Sequence, residues 1–159
     1  MASRIDTIFA NLAARPATHD SDVTIPVFTY AKLPEGDLPG TQAARVIRYI
    51  SVDANADSAF LGLGPGMTIL WTVSDVLYFK QAADGGQYYE SEPHLLEYAK
   101  SYLNEMYQDA GIDQQTEIET ISVTPGVVFW PDDGSEGHAY YGVTCLLEMR
   151  EHLVGLQST

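Results

Sequence analysis

The stretch Met67–Lys80, MTILWTVSDVLYFK, indicates the fold most clearly. Its large apolar residues recur at every second position, with one acidic residue in the same register: Ile69, Trp71, Val73, Asp75, Leu77 and Phe79. A period of two residues is typical of a strand with one face against a hydrophobic core. We predict a long strand here, and a structural role for Asp75, since an inward acid can mark a bulge or bond to backbone amides.

Three further segments are predicted to form the rest of a sheet. Arg45–Val52 is rich in β-branched residues and is followed by polar turn residues at 53–57. Glu117–Pro131 is predicted to form a strand that breaks near Pro125-Gly126. After the acidic turn that follows, alternate residues from Ala139 to Met149 are apolar, which predicts a long antiparallel return strand.

Two helices complete the predicted architecture. Residues 3–15 carry apolar side chains at helical spacing, and Ser91-Glu92-Pro93 has the residue types that begin a helix. The second helix is expected to end near Ala110, because Gly111 is a natural stop. We predict a single domain over residues 1–159, an α+β two-layer sandwich in which both helices pack on one face of a mainly antiparallel sheet of about four to five strands.

The charge balance excludes several partners. The chain has 22 acidic and 8 basic residues, for a formal charge of −14. Such a surface repels phosphate backbones and anionic lipids, so neither adhesive DNA binding nor membrane binding is expected. A leader with a basic start and an apolar core is not apparent, so the chain is expected to stay in the cytoplasm in which it is made.

No pattern typical of catalysis or metal binding is found. The histidines, His19, His94, His138 and His152, are scattered singly, without the short spacing of metal ligands. Cys145 is the only cysteine and lies in an apolar run, where a thiol usually behaves as a small buried apolar group. We therefore predict no catalytic, metal or cofactor site, and a protein that is not an enzyme.

Aromatic residues provide the candidate binding surface. Adjacent tyrosines at 88–89 and at 140–141 place one ring on each face if the chain is extended. Exposed tyrosine and tryptophan are favoured at protein interfaces. The predicted subunit or partner interface therefore contains Tyr88, Tyr89, Trp130 and Tyr140.

The order of elements resembles the tail terminator, or tail completion, proteins of the neck of long-tailed bacteriophages. The resemblance rests on an N-terminal amphipathic helix followed by four stretches: WTVSDVLYF at 71–79, PHLLEYAKSY at 93–102, PGVVFWP at 125–131 and YYGV at 140–143. The resemblance is in the order of elements, and it extends over most of the chain.

The resemblance implies a structural protein of the virion, made in the cytoplasm of a host bacterium. It implies a ring, usually a hexamer, that caps the tail tube protein and meets the head-side connector protein around the DNA channel. Heterologous contacts that close by rotation build such a ring from one small domain. Asp132, Asp133 and Glu136 then form a candidate acidic lumen or rim, along which DNA passes without adhering.

Two other classes of function stay open from the sequence. One is a cone-like α+β domain that binds or transforms a small ligand in an aromatic-lined pocket, which requires convergent polar groups with shifted pKa values. The other is an acidic DNA mimic or inhibitor, which requires acids concentrated on one face.

Overall fold

A computed structural model describes residues 4–29, 38, 43–57, 66–84, 86–112, 116–131 and 137–153. In chain order, its main elements are α1 (Arg4–Ala14), β1 (Val27–Thr29), β2 (Ala44–Asp57), β3 (Gly66–Gln81), α2 (Tyr88–Gln108), β4 (Thr116–Trp130) and β5 (His138–Leu153). Within these ranges, no helix is long and apolar enough to cross a membrane.

The strands form one five-stranded sheet in the order β1-β2-β3-β5-β4. Only the short β1 runs parallel to its neighbour, and every other pairing is antiparallel. Both helices contribute to the same core on one face of the sheet. The predicted α+β class, with two helices on a mainly antiparallel sheet, is confirmed.

The main core follows the alternation of the two central strands. Val73 and Leu77 on β3 and Cys145 and Leu147 on β5 are fully buried. Leu12 from α1 and a row of α2 residues one turn apart cover them: Leu95, Tyr98, Tyr102 and Met106. This spacing places the α2 side chains on one side of the helix, which explains why it lies along the sheet.

A second, smaller core lies on the opposite face of the sheet. Tyr78, Trp130 and Tyr140 form it together with Val46 and Leu38. The Tyr78 hydroxyl, on β3, donates a hydrogen bond to the Phe129 carbonyl oxygen on β4 at 3.2 Å. Since β5 lies between these strands, the Tyr78 ring must pass over it, and the β5 residue that pairs with Tyr78 is Gly142.

Three predicted boundaries are wrong. β2 continues through residues 53–57, which were predicted as a turn, because they pair with β3 down to Asp57 opposite Gly66. β4 passes unbroken through Pro125, which an edge strand tolerates. α2 begins at Tyr88, one turn before Ser91, with Gln87 in an extended conformation at its N-cap.

Candidate assembly surfaces

Trp130 and Tyr140 do not face outward in the folded chain. Their side chains are 4% and 5% exposed, and their rings pack edge-on against Tyr78 with centroid distances of 5.7 and 5.5 Å. The predicted outward orientation is wrong for both residues, because the sheet face opposite the helices is itself partly covered. Alternate side chains of a strand face opposite sides of the sheet, and at these two positions of β4 and β5 the side chains point into the second core.

The two tyrosines at the start of α2 behave differently from each other. Tyr89 is 66% exposed, as a contact residue should be. Tyr88 is half-buried, and its ring packs against Tyr141 at a centroid distance of 5.6 Å. The residues predicted to form an acidic lumen or rim, Asp132, Asp133 and Glu136, lie outside the described residues.

Tyr89 belongs to an exposed stripe along the outer side of α2. Leu96 and Tyr107, at 53% and 69% exposure, follow it along the helix. Seven and eleven residues are close to two and three helical turns, so the three side chains share one side of the helix over about 27 Å. We call Tyr89, Leu96 and Tyr107 the helix stripe.

A second exposed apolar group lies on β2 and was not predicted. Tyr49, Ile50 and Val52 are 54%, 54% and 46% exposed. They lie beyond the last pairing of β1 with β2, at Ile47, where the outer edge of β2 has no strand partner among the described residues. The register of β2 against β3 shifts between Tyr49 and Ser51, and such a bulge discourages further strand pairing. We call these three residues the β2 patch.

A third exposed group lies near the end of β4, the last strand of the sheet on the other side. Val127 and Phe129 are 52% and 57% exposed. Their alternation with half-buried Val128 and buried Trp130 places them on the sheet face that carries the helices, beside Tyr141. We call Val127 and Phe129 the β4 patch. Within VVFW, sequence reasoning placed Trp130 outward, whereas the structure exposes Val127 and Phe129 and buries Trp130.

The two sheet patches occupy diagonally opposite corners. Val52 pairs with Trp71 on β3, whereas Val127 pairs with Tyr141, which in turn pairs with Lys80 on β3. The patches are therefore about 30 Å apart along the strands and about 14 Å apart across them.

A buried ion pair is the other polar feature of the fold. Asp75 and Arg45 are 0% and 1% exposed, and the Arg45 Nε lies 2.8 Å from Asp75 Oδ1. Arg45 also donates to the carbonyl oxygens of Leu12 and Arg15 at the end of α1, and its guanidinium lies 5.5 Å from the centre of the Tyr102 ring. The structural role predicted for Asp75 thus has Arg45 as its partner, a residue that sequence reasoning had not linked to it.

The groups around this pair have shifted pKa values but no access to solvent. Burial alone would lower the pKa of Arg45, but the Asp75 carboxylate outweighs it and the pKa is raised. Burial raises the pKa of Tyr98 and Tyr102 well above the ordinary value, and Asp75 raises both further. The hydroxyls of both tyrosines lack a hydrogen-bond partner among the described residues. Because all these side chains are sealed beneath the helices, the cluster holds the layers together and offers no substrate access.

Cys145 beside this cluster should be unreactive in the folded chain. The thiol is fully buried, and burial, followed by the Asp75 carboxylate, raises its pKa. Since the thiolate is the reacting form, we expect alkylation at pH 8 to be about a hundredfold or more slower than for the urea-unfolded chain. Mass spectrometry of iodoacetamide-treated protein measures this, and rapid labelling of the native chain would contradict the burial.

One surface cavity has His19 among its lining residues. A cavity of about 640 Å³ lies between residues 18–21 and α2, and Glu97, Lys100 and Ser101 are among its lining residues. The His19 ring at its border packs edge-on against Phe79 at 4.9 Å, and burial, then the charge of nearby His94, lowers the pKa of His19. Its described lining residues include no Phe, Tyr or Trp, whereas the ligand-binding alternative requires an aromatic-lined pocket.

The described residues contain no group of three or more His, Cys, Asp or Glu side chains that could hold a metal ion. Comparison with protein-family models and with curated proteins gives no match.

Proposed function

We propose that the chain is a structural subunit of the head–tail neck of a long-tailed bacteriophage, a tail terminator that forms a ring on the end of the tail tube. One observation carries the assembly part of this proposal. Apart from Leu146 on β5, which is 37% exposed, the exposed large apolar side chains of the described strands are gathered at two diagonally opposite corners, the β2 patch and the β4 patch. A domain with two unlike contact surfaces on opposite sides can form a closed ring.

The acidic composition supports a role in contact with moving DNA. The chain carries 22 acidic residues against 8 basic ones, so a channel made from its copies repels the phosphate backbone. DNA then passes along the channel without binding to it. The resemblance to tail terminators supplies the number of subunits, six, and the neighbours, the tail tube protein and the head-side connector protein.

The helix stripe offers a surface for one of these neighbours. Tyr89, Leu96 and Tyr107 lie outside both sheet patches and stay exposed when the two patches are in use. Tyrosine is favoured at protein interfaces because its ring gives a large contact area while its hydroxyl stays hydrated. The proposal assigns the stripe to contacts made along the tail axis.

The proposal is tested in the phage whose genome encodes the chain. Mass spectrometry of purified particles should detect the protein at about six copies per virion, and electron microscopy should place it in the neck. Disruption of the gene should give tails of uncontrolled length or tails that fail to join heads. Infectious, DNA-filled particles of normal length that lack the protein would remove the proposal.

A further inference from the structure

We infer that residues 18–23 form a turn that is released from α2 when His19 gains a proton, so that the domain carries a pH-sensitive latch. The turn lies between α1 and β1 and is closed on itself. The Val23 amide donates to the Asp20 carbonyl oxygen at 3.1 Å, and the Thr18 hydroxyl donates to the Val23 carbonyl oxygen at the same distance. The turn therefore moves as one small unit. The latch does not depend on the proposed role in the phage neck.

Cavities border the turn on two sides. One of about 640 Å³ lies toward α2, and one of about 370 Å³ lies toward the end of α1. The Thr18 amide donates to the Ser101 hydroxyl oxygen on α2 at 3.2 Å. The His19 ring packs edge-on against Phe79, an uncharged residue of β3, and against His94 on α2, at centroid distances of 4.9 and 5.9 Å. We call the His19, Phe79 and His94 rings the latch.

A proton on His19 opposes the closed position of the turn. The Nδ1 atom of His19 is buried and has no hydrogen-bond partner among the described residues. Burial, then the charge of His94, lowers the pKa of His19, and only Asp20 on the turn acts to raise it. Glu97 and Lys100, which line the cavity on the α2 side, carry opposite charges. Closure is therefore favoured above the ordinary histidine pKa of 6.5 and is weakened as the pH falls below it.

His94 makes the latch responsive to the solvent. It is exposed, and its ring stacks on Phe79 at 5.4 Å. Protonation of both histidines places two positive charges on rings 5.9 Å apart, and repulsion at such a distance near a protein surface changes an equilibrium about tenfold. Because β1 begins shortly after the turn and pairs with β2 up to Ile47, release of the turn also loosens the strand that covers this edge of β2.

Hydrogen exchange of the full chain measures the release. Mass spectrometry at about pH 7.5 and about pH 5, corrected for the intrinsic pH dependence of exchange, should show about tenfold lower protection of residues 17–27 at the lower pH. Residues 95–106 of α2 should keep their protection. Equal protection of residues 17–27 at both pH values would overturn the inference. A uniform loss over the whole domain would overturn it too, because acid would then unfold the domain instead of releasing one turn.

Variants assign the response to the latch. His19→Phe keeps a ring against Phe79 and removes the proton site, so residues 17–27 should stay protected at both pH values. His94→Gln should weaken the response, because it removes the second charge. His152→Gln, at an exposed histidine on β5, is the matched control and should respond to acid as the parent does. An acid response that persists in His19→Phe would show that another group drives the opening.

A titration of the parent chain tests the latch without any substitution. Nuclear magnetic resonance of the histidine rings should show His19 titrating below a histidine in a short peptide. The loss of protection in residues 17–27 should follow the same titration. An ordinary titration of His19, or a loss of protection at a different pH, would remove the latch whether or not His19→Phe folds.

Discussion

Replacing Arg45 with methionine should lower the free energy of unfolding by about 3–5 kcal/mol, because it leaves the Asp75 carboxylate buried without its counter-ion. Both side chains are at most 1% exposed, so water cannot replace the lost partner. Asp75→Leu should cost a similar amount, since it leaves the guanidinium unpaired. Urea unfolding followed by tryptophan fluorescence measures both values.

The double variant Arg45→Met/Asp75→Leu distinguishes the energy of the ion pair from the energy of the other contacts that the two side chains make. Removing both charges should restore a large part of the loss, because a buried ion pair can often be replaced by apolar residues of similar volume. Restoration should be incomplete, since the carbonyl oxygens of Leu12 and Arg15 lose their donors. Costs for the two single variants that simply add in the double variant would show that the pair is not coupled.

Replacing Gly142 with alanine should cost about 2–4 kcal/mol. A Cβ atom at this position would lie 2.0 Å from the carbonyl oxygen of Leu77 on the neighbouring strand, which is far inside van der Waals contact. The backbone of β3 or β5 would have to shift, and the hydrogen bond from the Tyr78 hydroxyl to the Phe129 carbonyl oxygen would be disturbed with it.

Gly126 is a matched control, because it pairs directly with Gly142 across β4 and β5. A Cβ atom there meets nothing within 4 Å. Gly126→Ala should therefore change the free energy of unfolding by no more than about 0.5 kcal/mol. Equal effects of the two substitutions in thermal or urea melts would mean that the strands are further apart at Gly142 than described.

The alternating strands could be predicted because their residues repeat with the period of the sheet. Ile69 to Phe79 and Ala139 to Met149 keep that period, and their burial follows from it. Residues 53–57 were predicted as a turn because aspartate and asparagine usually terminate strands. In the structure, residues 53–57 pair with β3, and this tertiary pairing overrides the local preference of aspartate and asparagine for turns.

The candidate surfaces were harder to predict because exposure depends on what covers each face. Trp130 and Tyr140 alternate onto the face away from the helices, and nothing in the sequence indicates that Leu38, from a segment rich in proline and glycine, packs there. The β2 patch is exposed because β1 is only three residues long. Arg45 and Asp75 are thirty positions apart, so their pairing follows from the strand register alone.

Two arginines, Arg45 on β2 and Arg15 just beyond α1, bind the carbonyl oxygens at the ends of the helices. Arg45 holds the last carbonyl oxygens of α1 against the sheet, and Arg15, just beyond α1, donates to the carbonyl oxygens of Asp109 and Gly111 just beyond α2. Separation of either helix from the other breaks the hydrogen bonds of Arg15, and separation of α1 from the sheet also breaks those of Arg45. The helical layer therefore behaves as one cooperative unit, with a shared opening free energy for α1 and α2, even though more than seventy residues separate them in the sequence.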